Sequence, residues 1–98
     1  MKEAPIHIGV LSLELFIPLS QSLKSKRRVL KSLKDRVHHK FNVSIAEVGA
    51  HDKWQRAEVG ACMISNDKTL IEKVFQEIRD LAETNHEVQL TNQSTEFV

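Results

Sequence analysis

The chain has 98 residues, 41% of them apolar, with 14 Lys or Arg against 13 Asp or Glu and a formal net charge of +1. That length predicts one domain, residues 1–98, with a single modest core, and it is too short for a substrate cleft between two domains. The composition, with three Gly and two Pro, excludes disordered and fibrous classes, and no apolar run reaches the roughly 20 residues that a membrane-spanning helix needs.

The N-terminus lacks a basic region followed by an apolar run and a small-residue cleavage site, so no secretory signal is expected. His7–Ile17 predicts a long strand with apolar side chains on both alternating faces, as for a central strand covered on both sides. Pro18 ends it. Ser20, Gln21 and Ser22 form a polar break with Ser22 as the expected N-cap of a helix over Leu23–Lys40, whose Leu30, Leu33, Val37 and Phe41 recur at spacings of three and four. This helix holds eight of the 14 Lys and Arg residues and one acid, Asp35, so the remainder of the chain is net acidic.

Val43–His51 and Arg56–Ser65 read as two further strands joined by a hairpin, Asp52–Gln55, that carries the only tryptophan, Trp54. Cys62, in the second of them, is the only cysteine. It permits no internal disulfide, suits a reducing cytoplasm and reads as a small core residue without an activating neighbour. Ser65, Asn66 and Asp67 cap a second helix marked by Leu70, Ile71, Val74, Ile78 and Leu81, with Glu72, Glu77, Asp80 and Glu83 outward, an acidic counterpart to the first. Glu87–Val98 alternates as an edge strand.

The order is β-α-β-β-α-β, an α+β arrangement. It predicts a ferredoxin-like sandwich: a four-stranded antiparallel sheet of order 4-1-3-2 with both helices on one face. The end of strand one, the start of helix one and the hairpin then share one rim, which brings Lys24, Lys26, Arg27 and Arg28 near Lys53, Trp54 and Arg56.

A positive stripe of Lys24, Arg27, Arg28, Lys31 and Lys34, opening at a helix N-terminus with free N–H groups, is suited to phosphate. It equally fits a solvated face or a contact with an acidic surface of a neighbouring copy. Trp54 fits base stacking or a cation–π contact, but tryptophan's usual burial favours packing or a subunit contact. The RNA-recognition motif has this topology, but it presents aromatic residues on its central strands, and strand three here has none. The open face, with its small and apolar residues (Ala46, Ala50, Gly60, Cys62 and Ile64, or the opposite alternation), suits a dimer interface better. The five histidines show no ligand spacing, so no metal or cofactor is expected. Glu47 and His51 share a strand face, an arrangement that is more often structural than catalytic.

The segments SLKSKR at Ser22–Arg27, FNVSIAEVG at Phe41–Gly49 and WQRA at Trp54–Ala57 resemble the YlxP-like family, small bacterial proteins of unknown function. Ser25 departs from the glutamate common at that position, which weakens a capping box with Ser22. The resemblance implies a ferredoxin-like domain and cytoplasmic life. It also implies a gene neighbourhood of translation initiation and ribosome maturation, including ribosome-binding factor A, and it brings no catalytic residues.

The expected function is therefore a non-enzymatic RNA- or ribosome-associated binding protein, soluble and not membrane-bound. Lys24, Lys26, Arg27, Arg28, Lys31 and Lys34 would meet phosphates, with Lys53, Trp54 and Arg56 completing the rim. A homodimer or higher homo-oligomer is also expected, and the alternative function is a homo-oligomeric interaction module without nucleic-acid binding.

Overall fold

The computed structural model describes residues 5–98. The elements are β1 (His7–Phe16), α1 (Leu23–Lys40), β2 (Ser44–Gly49), β3 (Arg56–Ser65), α2 (Lys68–Glu83) and β4 (Gln89–Phe97), and the antiparallel sheet runs β2-β3-β1-β4. This is the predicted order, read from the other edge.

Local chemistry sets the helix ends. The Ser22 Oγ accepts the Ser25 N–H at 2.9 Å, so the cap forms without a glutamate at position 25. His38, His39 and Lys40 occupy the last turn of α1, where positive charge complements the helix dipole. At α2 the Asp67 Oδ1 accepts the Leu70 N–H at 3.2 Å, and the Thr84 hydroxyl donates to the Asp80 carbonyl at the other end.

Register places Leu11 opposite Ala61, Leu13 opposite Val59 and Leu15 opposite Ala57. These side chains are buried against Val29, Leu30, Leu33 and Val37 of α1 and Ile71, Val74, Phe75 and Ile78 of α2 in one core. Gly9 lets α2 approach the sheet: a Cβ there would lie 2.7 Å from the Ile71 Cγ2 and 3.0 Å from a Phe75 ring carbon.

Two expectations change. β1 is central but covered on one face only, since Ser12 and Phe16 are exposed and Val10 and Glu14 partly so. Its second apolar alternation serves an open sheet face. In addition, α2 interleaves Lys68, Lys73 and Arg79 with its acids, so it is close to charge balance and no acidic mirror of α1. No helix among the described residues is long and apolar enough to cross a membrane.

Candidate nucleic-acid interface

The buried stripe of α1 is Lys26, Val29, Leu30, Leu33 and Val37, so Lys26 continues the apolar face by one turn. Its side chain is 1% exposed. The ammonium donates to the carbonyls of Ala50 at 2.8 Å, Arg56 at 3.2 Å and His51 at 3.4 Å, and lies 2.9 Å from the Glu47 Oε2. That accounts for its three donors. Lys26 is consequently withdrawn from the surface, correcting its expected place among phosphate contacts. Burying an ammonium demands such compensation, and the two ends of the β2–β3 connection supply it.

The predicted rim does form. The Ile17 N–H donates to the Gln55 carbonyl at 2.7 Å, and the Gln55 side-chain amide donates to the carbonyls of Pro18 and Ser20. Ala50, at the end of β2, has a φ of 58°, the only positive value at a non-glycine residue among those described. Its carbonyl accepts both Lys26 and the Lys53 N–H.

On either side of this stripe the charges of α1 divide into two flanks. Towards β2, Arg27, Lys31, Lys34 and His38 line a groove whose floor is Leu30 and Ile45. Lys31 binds Asp35 at 2.6 Å; this hydrogen bond, aided by the charges of Lys31, His38 and Lys34, holds the Asp35 carboxyl below its usual 3.8. Among the described residues, Lys24, Arg27 and Lys34 have no carboxylate within 4.0 Å. The other acid of the groove, Glu47, is taken by Lys26.

On the opposite flank Arg28 lies on Glu87 at 3.3 Å and Lys40 on Glu77 at 3.9 Å, while Arg36, beside Lys40 and Leu81, has no carboxylate within 4.0 Å among the described residues. Arg28 therefore separates from Arg27, contrary to the single stripe expected.

At the hairpin, Lys53 and Trp54 are exposed, Trp54 by 56%, so packing in the core is excluded for it. Phe16 adjoins Lys53, Trp54, Gln55 and Arg56 around a shallow hollow; as an aromatic on central strand β1, it is a neighbour that attention to strand three alone misses. Arg56 alternates with the buried Ala57, and its side chain turns to the open sheet face, 3.8 Å from Glu14 and 3.6 Å from Glu58. Its guanidinium thus leaves the α1 side, although its carbonyl remains there on Lys26.

The open face runs in rows. Val98, whose N–H bonds the Ile8 carbonyl, lies beside Ile8 and Ile64; Glu96, Val10, Cys62 and Ser44 form the next row, and Ser94, Ser12, Gly60 and Ala46 the third. Cys62 is exposed here, so it is no core residue. The Glu47 carboxylate faces Lys26, and the His51 ring contacts the Glu47 carbonyl at 3.2 Å, so no carboxylate–imidazole couple forms. Among the described residues no three His, Cys, Asp or Glu side chains are grouped to hold a metal.

The sheet order and helix placement are similar to a solved de novo designed protein, Foldit4, at a TM-score of 0.53 and 16% identity, covering 96% of this chain and 97% of that one. The sequence is 39% identical over 90 residues to the uncharacterized protein YlxP of Bacillus subtilis (strain 168), covering 92% of this chain and 98% of the relative. The family described as "Protein of unknown function (DUF503)" matches residues 8–95, and together with the identity to YlxP this places the chain in that family.

Proposed function

We propose that this chain is a cytoplasmic, non-enzymatic RNA-binding protein on a ferredoxin-like frame, its phosphate-contacting surface being the groove between α1 and edge strand β2. The observation that carries this reading is the asymmetry of α1. Its β2-facing flank keeps Lys24, Arg27 and Lys34 without a carboxylate within 4.0 Å, whereas on the other flank Arg28 and Lys40 have acidic partners and Arg36 alone is left so, among the described residues. Lys31 remains on the binding flank, and Lys53 with Trp54 at the adjoining rim adds a cation and an exposed ring on which an unpaired base stacks. The ribosomal neighbourhood implied by the family resemblance favours ribosomal RNA as the source.

Neutralising about five phosphates makes log affinity fall with log salt at a slope of roughly −4. The test compares Arg27→Glu/Lys34→Glu with Arg28→Glu/Lys40→Glu, equal changes of charge on the two flanks. Filter binding of ribosomal RNA, with co-sedimentation on ribosomal subunits, is expected to be lost in the first pair and retained in the second. Equal loss in both would reduce the interaction to net charge, and no binding by the wild type at low salt would remove the reading.

A second reading, self-association through the open sheet face, is favoured by the exposure of Val48 at 62%, Ile64 at 64% and Val98 at 71%. Light scattering decides it. A monomer at micromolar concentration sinks it, while a dimer in which Cys62 resists alkylation supports it.

A further inference from the structure

Lys26 is a fully buried cation that the proposed RNA contact does not use. We infer that it is the positioning residue of the binding rim, fixing the β2–β3 connection, and with it Lys53 and Trp54, against the first turn of α1. This rests on the RNA-binding reading above for its functional half; its structural half stands alone.

The geometry is that of a three-point clamp. The Ala50 and His51 carbonyls lie at one end of the connection and the Arg56 carbonyl at the other, and all three accept from one ammonium at 2.8–3.4 Å. The intervening residues Asp52 to Gln55 are exposed. Backbone hydrogen bonds to the hairpin tip are few: Lys53 N–H to Ala50 and Ile17 N–H to Gln55.

The Gln55 side-chain amide also anchors the tip on the Pro18 and Ser20 carbonyls, but the exposed Asp52, Lys53 and Trp54 have little packing to hold them, so their orientation depends on the two ends of the connection. Both ends converge on a side chain borne by α1, the helix that presents Arg27 one residue later and Lys24 two residues earlier. The ammonium thereby fixes the spacing between the helix cations and the hairpin's Lys53 and Trp54. A ligand meeting both groups gains from that spacing being set in advance.

The experiment uses the full chain. Trp54 is the only tryptophan, so its time-resolved fluorescence anisotropy reports the hairpin without a label or a ligand. In Lys26→Met a fast local component is expected to appear, and affinity for a single-stranded RNA 12-mer to fall about tenfold through lost preorganisation. The slope of log affinity against log salt is expected to stay at the wild-type value. A Trp54 decay unchanged from wild type overturns the inference, and so does a slope shallower by about 0.7–0.9, the mark of a direct phosphate contact.

Should Lys26→Met fail to fold, the wild type still decides the matter. A ¹⁵N-resolved ammonium signal protected from solvent exchange is expected for Lys26, and its averaging with the exposed lysines would overturn the clamp. If the wild type binds no RNA, the proposed function fails, while the Trp54 decay continues to decide whether Lys26 positions the hairpin.

Discussion

Lys26 Nζ lies 2.9 Å from Glu47 Oε2, yet that oxygen accepts no hydrogen bond, because the ammonium's donors are directed at three backbone carbonyls. The pair is a Coulombic contact added to a carbonyl-binding site, and its two partners are not equivalent. Lys26→Met leaves Glu47 and the carbonyls without their cation, with an expected loss of about 3 kcal/mol. Glu47→Gln keeps the donors satisfied, for about 1 kcal/mol. Urea denaturation of the two variants checks the order; a larger loss for Glu47→Gln would make the ion pair the principal contact.

Gly9 sits where α2 meets β1, with Ile71 and Phe75 occupying the space of a side chain. Both neighbours are fully buried and have nowhere to move. Gly9→Ala is expected to destabilise by about 1–3 kcal/mol through overpacking, read as a lower thermal midpoint. An unchanged midpoint would mean that α2 can lift from the sheet at no cost.

Ala50 holds a left-handed conformation that costs an L-residue about 1–2 kcal/mol. Glycine relieves this but adds freedom to the unfolded chain, offsetting roughly 0.4–1 kcal/mol. Ala50→Gly is therefore expected to raise stability by about 0.5 kcal/mol in a denaturant titration, and a loss of stability would show that the methyl group makes a needed contact.

Asp35 is held below 3.8 by the hydrogen bond from Lys31. With the folded value depressed, the stabilisation is complete above the unfolded value and disappears as pH falls through the folded one. A carboxyl-carbon NMR titration is expected to give a midpoint under 3.8 that returns towards it in Lys31→Ala. The side chain is exposed, so the effect on stability is small and screened by salt; an identical midpoint in the variant would assign the shift elsewhere.

Much of the fold was legible because capping and periodicity agree. Ser22 and the Leu30, Leu33, Val37 stripe mark α1 at its observed bounds, Leu23–Lys40, and β3 coincides with Arg56–Ser65. The site was only partly legible. Lys26 lies four residues before Leu30, on the inward stripe, and that spacing was the available signal; residue type outweighed it, since lysine is rarely buried. Consecutive helix residues point about 100° apart, so Arg27 and Arg28 belong to different flanks. Which flank meets acids depends on Glu87 and Glu77, distant in sequence. Arg56 shares the hollow of Lys53 and Trp54, as its grouping with them expects, but strand alternation sends its side chain to the face opposite Ala57, away from α1. The exposure of Trp54 follows from the hairpin tip projecting beyond the core, which no local pattern encodes.

The concentration of cations on α1, against a net acidic remainder, gives the molecule a large electric dipole despite its charge of +1. In the field of a polyanion such a body feels a torque as well as a weak net attraction, so encounters are biased towards arrival with α1 leading. That orienting effect acts over about one Debye length, roughly 8 Å at physiological ionic strength. Added salt therefore randomises the approach, lowering the number of productive collisions even where the contacts made after docking are the same.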